Sequence, residues 1–405
     1  MRMEIFEELL PLAAWDTHTH LESSPKIGAR DIWDIVHYFW LRQELEAAGY
    51  PAQAEKLPEP ERVEALAKAF SESRTTHWNR IVRRMLKDLY GVTIDGTASI
   101  HDANERIKAN AADPAWPRQI CARGSLFRIV AGITAPNDLA SLAGIIHSVP
   151  VFDRLNDRVI DAVLVSQKQA DKAAEVAAEL DSAVGALYDQ GIRTVRIAPY
   201  PFDGMDGAAK VPVLAATGNT RDAVRLVLGH ALFSSLARRS LHVQLFTGVR
   251  RRPTIAVSVN DTERIPRMNE IFEKYPTIIF EVLNAAELSA VDLVQSARAR
   301  RNVYCGAPWW FSVRASIIRA NMQYRIEALP VSRSLLLASD ARVIEWVYAK
   351  TIFVKLLLAD FLSASIERDW LDRADALYAA SWWLSKTAER IYREDAPAKA
   401  SVPPN

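Results

Sequence analysis

Eight short β-type runs separated by stretches with helical spacing constrain this chain more than any other feature. In order they are "AAWDTHTH" (13–20), "LFRIVAGI" (126–133), "SVPVFD" (148–153), "IRTVRIA" (192–198), "LHVQLFTGV" (241–249), "TIIFEVL" (277–283), "NVYCGAP" (302–308) and "SLLLASD" (334–340). Most are apolar runs rather than clean alternations, as parallel strands covered on both faces require. Intervening segments such as "KQADKAAEVAAELDSAVGALYDQG" (168–191) are rich in Ala, Leu and Glu and stop at Gly191. Strand and helix in regular succession define an α/β class, and eight strands are what a (β/α)8 TIM-like barrel needs.

The spacing is uneven in one place. Residues 21–125 separate the first two runs, and within them "DIWDIVHYFWLRQELEAAG" (31–49) and "THWNRIVRRMLKDLYGV" (76–92) both read as helices. A helical insertion subdomain over about 28–117 is therefore expected at the C-terminal mouth of the barrel, where βα loops build active sites. Residues 343–394 read as almost wholly helical and are expected to pack around the outside. The whole of 1–394 is expected to be a single domain, with 395–405 a disordered tail.

Bulk properties exclude several function classes. The 405 residues carry 50 Lys+Arg against 49 Asp+Glu, so no electrostatic footprint for nucleic acid is present. No run approaches the roughly 20 apolar residues of a membrane span. The start, "MRMEIFEELLPLAAWD", has glutamates inside its apolar stretch and does not read as a signal peptide. Cys121 and Cys305 are the two cysteines, which argues against a disulfide framework and for a reducing compartment. The expectation is a cytoplasmic enzyme that assembles as a homo-oligomer through its outer helices.

The chemistry begins in the first run. Side chains alternate along a strand, so His18 and His20 share a face, with Asp16 beside them. A lone His-x-His also occurs on strand ends that bind nothing. In a closed barrel, however, the eighth strand neighbours the first, and "ASDAR" puts Asp340 at its C-terminal end. Two imidazole nitrogens and one carboxylate oxygen suit a divalent metal ion: Zn2+ first, with Mn2+ or Fe2+ also compatible. His242 lies too deep in its strand for that ion, and Cys305 reads as buried filling. His77, His101, His147 and His230 carry no motif.

Asp-x-His-x-His on the first strand with Asp on the eighth resembles the amidohydrolase superfamily. Within it the chain resembles the uronate (glucuronate) isomerases. The stretch 31–49 is similar to that family's helix after the first strand, with its His-Tyr pair and following Arg (His37, Tyr38, Arg42). "YCGAPWWF" (304–311) resembles its Gly-x-x-Trp-Trp-Phe segment, and "ASDARVIEWVYAKTIFVKLLLADFL" (338–362) its Ser/Thr-Asp-x-Arg signature with the helix behind it. Phe246 stands where many members carry a fifth-strand histidine, and "RIAPYPFD" (196–203) offers no lysine for a second metal. Both departures imply a single ion on His18, His20 and Asp340, and a divergent branch that also lacks the fifth-strand histidine.

The resemblance implies isomerisation of a small-molecule hexuronate by proton transfer between C1 and C2. It makes Asp340 the candidate base and Arg342 the group that holds a substrate oxygen. His37 or Tyr38 would donate to another oxygen. Arg154 and Arg196 are candidates for the substrate carboxylate, which calls for a bidentate arginine. Trp309 and Trp310 are candidates for an apolar wall against the sugar. The alternatives are a mononuclear-metal amidohydrolase or decarboxylase acting on another small carboxylated substrate, and a sugar-acid-binding barrel without catalysis.

Overall fold

A computed structural model describes residues 1–23, 26–132, 141–197, 221–251, 256–258, 264–310 and 313–392. Among them the strands are β1 Ala14–Asp16, β2 Leu126–Ala131, β3 Ile146–Ser148, β4 Thr194–Ile197, β5 His242–Thr247, β6 Val249–Arg251, β7 Ala256–Ser258, β8 Ile279–Asn284 and β9 Val303–Cys305. The first helices are α1 Arg2–Leu9, α2 Ile32–Val36, α3 Phe39–Ala47, α4 Glu59–Glu72, α5 His77–Tyr90, α6 Thr97–Ala111 and α7 Trp116–Gly124. Then come α8 Asp157–Leu164, α9 Gln169–Asp189, α10 Arg221–Arg238, α11 Arg264–Lys274, α12 Ala290–Ala299 and α13 Ala315–Ala328. The chain ends on α14 Ile344–Glu367, α15 Arg373–Ser381 and α16 Thr387–Tyr392. None of the described helices is long and apolar enough to cross a membrane. The expected tail, 395–405, lies outside the described residues.

The fold is α/β with parallel sheets, as the run pattern implies, and the chain divides into two compact units. One comprises Met1–Ser148 with Leu337–Ser381, the other Val149–Leu336 with Trp382–Asn405. In the first, β1, β2 and β3 form a parallel sheet. Between β1 and β2 the described residues hold helices α2 to α7 and no strand. α14 packs on α1, α5 and α7 and is buried around most of its circumference, so it is a core helix rather than the outer one expected.

Two charged residues of α14 organise that unit. The Glu345 carboxylate, fully buried, accepts from the Ala29 amide (3.0 Å), the Tyr90 hydroxyl (2.9 Å) and the Trp116 indole (3.3 Å). Lys355 donates to the carbonyls of Leu10, Leu12 and Gly124 at 2.7 to 3.2 Å. An ammonium there satisfies carbonyls left over where α1 and α7 end.

The stretch 31–49 is not one helix but two. Asp31 caps α2 by accepting from the Trp33 and Asp34 amides, and Tyr38, with ψ 128°, breaks the run before α3. The break is held from outside: the Trp346 indole takes the Ile35 carbonyl at 3.1 Å, and the Tyr38 ring packs 4.5 Å from that of Trp346. Side-chain packing overrides a helical pattern that the sequence carries without interruption.

In the second unit β4, β5, β8 and β9 form a parallel sheet in that order. Val195 and Ile197, Val243 and Leu245, and Phe280 and Val282 lie in one apolar cluster with residues of α9, α10, α11 and α12. The alternate positions are also buried but polar. Arg196, Gln244 and Glu281 sit in register across three strands. Arg196 donates to Gln244 (3.2 Å), whose amide donates to Glu281 (3.2 Å) and Tyr392 (2.7 Å). At Gly248 (φ 88°) the chain leaves β5 so close to Ala286 that a Cβ would lie 2.4 Å from its amide nitrogen.

The third run differs from expectation. Its sheet partner to β2 is Ile146–Ser148, while Val151 makes an isolated bridge to Arg196. The eighth run, 334–340, carries no assigned strand but is extended and paired: Ser334 bridges Cys305, and Leu337 accepts from Thr17. Cys121 and Cys305 are both free and buried.

His230 on α10 is buried with its Nδ1 2.6 Å from the Tyr275 hydroxyl, and burial, with Lys274 nearby, pushes its imidazole down to about 4. Unfolded, it titrates near 6.5. Below pH 6.5 the unfolded chain takes up a proton that the folded one refuses, so stability falls between pH 6.5 and about 4 and is level from this source above that window. In denaturant titrations, stability is expected to fall across that window by about 3 kcal/mol more in the protein than in His230→Gln, the variant's pH dependence being flatter.

Candidate metal centre

The centre lies in the first unit, where two extended segments meet. Beyond β1, residues 17–20 run alongside 337–341. Thr17 N donates to the Leu337 carbonyl (3.0 Å), Asp340 N to the His18 carbonyl (2.8 Å) and His20 N to the Ala341 carbonyl (2.8 Å). The Thr17 hydroxyl doubles the first of these bonds, and the Thr19 hydroxyl ties to the Val130 carbonyl on β2 at 2.6 Å. Asp16 adds a side-chain clamp, its Oδ1 accepting from the His18 amide (3.2 Å) and the Ser339 amide (2.9 Å).

This pairing brings together residues more than three hundred positions apart. Asp340 Oδ1 lies 3.0 Å from His18 Nε2 and 3.3 Å from His20 Nε2. One ligand atom from each of the three fits within 4.8 Å of the others. Bonds of about 2.0–2.1 Å to a tetrahedral ion put its ligand atoms about 3.4 Å apart, so the two carboxylate–imidazole separations are close to what such an ion demands. His18 is 2% exposed at its side chain and His20 35%, which leaves the group open on the His20 side. The donor set fits a divalent ion, which His18, His20 and Asp340 would hold.

Electrostatics agree. Burial alone would raise the Asp340 carboxyl, but the hydrogen bonds and charge of His18 and His20 hold it well below the carboxylate range. Asp16, fully buried, is pushed up to about 6 by desolvation against the bonds from Ser339. Asp340 is also left-handed, at φ 56°. Aspartate tolerates that region better than most residues, yet such a backbone costs on the order of 1 kcal/mol and needs its surroundings to hold it.

Three partners of the centre carry no motif of their own. Glu22 Oε1 lies 3.6 Å from His20 Nδ1, a carboxylate behind one of the two candidate ligand imidazoles. Gly132 leaves room for it, since a Cβ there would come within 2.8 Å of Glu22 Cγ. Lys350, on α14, donates to the Tyr38 hydroxyl (2.5 Å) and the Ser339 carbonyl. Burial lowers this ammonium to about 8, opposed by the charges of Asp340 and Asp16. The spacing from Asp340 to Lys350 repeats no catalytic pattern, so only the packing of α14 discloses it.

The other expected site residues are distributed as follows. Tyr38 is buried beside Lys350, and desolvation, with the charge of Asp340, keeps its phenol protonated far above neutrality. His37 instead bonds Tyr50 through Nε2 at 3.0 Å and packs on Trp33, while Arg42 pairs with Glu46 and Glu55. Arg342 is exposed. Arg154, Arg196, Trp309 and Trp310 belong to the second unit. There Arg154 is exposed and Arg196 buried, and Phe246, Trp309 and Trp310 form an aromatic cluster with ring centroids 4.8 and 5.2 Å apart.

No protein-family model matches the chain, and no curated protein sequence matches it. Solved structures do, and they define a class: the chain has the fold of the uronate isomerases. It is similar to the uronate isomerase of Thermotoga maritima with a TM-score of 0.76 at 15% identity, covering 97% of each chain. The uronate isomerase of Bacillus halodurans C-125 gives 0.75 at 16% identity over 97% of this chain and 96% of that one. The glucuronate isomerase of Caulobacter crescentus gives 0.76 at 15%, over 98% and 96%. The sequence resemblance thus extends to the whole fold.

Replacing His18 or Asp340 by Ala removes one of three ligand atoms. Zinc retained after dialysis, measured by mass spectrometry, is expected to fall from about one ion per chain to background in both variants. Equal zinc in the parent and both variants would exclude this centre.

Proposed function

We propose that the protein is a metal-dependent aldose–ketose isomerase of hexuronates, converting D-glucuronate to D-fructuronate, D-galacturonate to D-tagaturonate, or both. One observation carries the reading. An ionised Asp340 sits against His18 and His20 in a chain whose fold matches uronate isomerases almost end to end. The (β/α)8 barrel and the single domain expected from the strand pattern belong to the same reading.

A divalent ion, Zn2+ in the first instance, would supply Lewis acidity toward the sugar's carbonyl and hydroxyl oxygens. The remaining work falls to side chains. Asp340, held as a carboxylate, is the base that takes the C2 proton and returns it to C1, while the O2 hydroxyl proton passes to O1. Arg342 carries an exposed guanidinium two residues on and is suited to an enediolate oxygen. Tyr38, a phenol that stays protonated while its oxygen accepts from Lys350, has its own proton to donate, and His37 is assigned the lesser part because its ring is occupied by Tyr50. For the substrate carboxylate the candidates remain Arg154 and Arg196; Trp309 and Trp310 offer apolar surface to the sugar.

A second reading, a mononuclear-metal hydrolase or decarboxylase, draws on one comparison. A Lactobacillus casei protein described as a metal-dependent hydrolase matches with a TM-score of 0.59 at 13% identity, over 96% of this chain and 97% of that one. Deuterium separates the two. Incubated with D-glucuronate or D-galacturonate in D2O, an isomerase yields the ketose and exchanges or transfers the C2 hydrogen, both visible by NMR. Asp340→Asn is expected to lower that turnover by about 10²- to 10⁴-fold. No turnover of either uronate, alongside cleavage of an amide or lactone, overturns the isomerase reading.

A further inference from the structure

The proposed reaction makes no use of Lys350, yet its ammonium bonds the carbonyl of the residue that precedes Asp340. The residue is 2% exposed, on a helix whose buried side chains are mostly apolar. Its ammonium bonds the Tyr38 hydroxyl at 2.5 Å and the Ser339 carbonyl, and lies 4.7 and 4.9 Å from the ring centres of Tyr38 and Trp78. Ser339 immediately precedes the left-handed Asp340. Its amide donates to Asp16 (2.9 Å), its hydroxyl accepts from Ala341 (3.3 Å) and its carbonyl takes Lys350, so Ser339 is held at its amide, its hydroxyl and its carbonyl.

Lys355, five residues further along α14, shows what a structural lysine looks like here. All its bonds go to backbone carbonyls, those of Leu10, Leu12 and Gly124. Lys350 has one carbonyl and one phenol, both of them on residues that flank or face the carboxylate. We propose that Lys350 is a positioning residue of the metal centre: by binding the Ser339 carbonyl and the Tyr38 hydroxyl together it holds the turn that aims Asp340 at His18 and His20. The inference rests on the reading of those three residues as a metal site, and is independent of which substrate the site serves.

Cobalt(II) provides a probe that needs no turnover, since its visible d–d bands report ligand geometry. The full chain, stripped of metal by chelation, is titrated with Co2+ as the parent, as Lys350→Met and as Lys355→Met, with the thermal midpoint recorded for each. Lys350→Met is expected to weaken Co2+ about 10- to 100-fold and to shift its bands. Lys355→Met is expected to lower the midpoint while leaving affinity within about twofold and the bands in place. Should Lys350→Met not fold, Lys350→Gln takes its place against Lys355→Gln: its amide is uncharged and one bond shorter, so it is expected not to hold the Ser339 carbonyl and the Tyr38 hydroxyl together and to weaken Co2+ in the same direction.

Parent-like affinity and bands in the Lys350 variant overturn the proposal, whatever happens to the midpoint. A parent chain that takes up no Co2+ overturns it together with the metal centre. A parent that binds Co2+, a Lys350 variant that binds it poorly, and no uronate turned over would uphold the proposal and remove the isomerase reading alone.

Discussion

The backbone pairing of 16–20 with 337–341 is the constraint on which the first unit depends. Three main-chain bonds and the Asp16 clamp draw a segment near the N-terminus against one that leads into α14. Without them His18, His20 and Asp340 are three unrelated polar residues, one buried and two half-buried at a cost that only partners repay. With them a carboxylate is kept ionised by two imidazoles and lies at ligand distance from both. The same junction delivers α14 to the core, where Glu345 gathers the loop at Ala29 with Tyr90 and Trp116.

Much of this is legible in the sequence, for identifiable reasons. Seven of the eight runs carry strands or overlap them, because β-branched and aromatic residues bounded by turn formers leave little choice. The His-x-His pair and the distant aspartate are expected to meet because a closed barrel makes the first and eighth runs neighbours, and the backbone bonds of 17–20 to 337–341 do bring them together. The stretch 31–49 misled, since its periodicity is genuinely helical and the break at Tyr38 comes from Trp346 and Lys350, both beyond residue 340. Glu22 and Lys350 were illegible for a related reason. A carboxylate behind a histidine, or an ammonium behind a turn, has no fixed spacing from what it supports.

The inner face of the second unit also reads differently once paired. "HVQLFT" looks like an apolar run with interruptions, yet His242, Gln244 and Phe246 share one side, and Gln244 stands in register with Arg196 and Glu281. A buried guanidinium, amide and carboxylate in a row are linked by hydrogen bonds through the central amide, where an isolated member would be costlier. Composition counts such residues as polar and hence exposed, and strand register shows why they are not.

The left-handed backbone at Asp340 also restricts how this lineage can change. Replacement by Asn or Gly suits that conformation, and either one discards the negative charge. Glutamate would keep the charge but pay the steric penalty at Cβ and overshoot by a methylene, while β-branched residues are excluded outright. No conservative exchange is therefore open at this position, so drift toward a new activity has easier routes through exposed Arg342 or the partners of His20 than through the carboxylate itself.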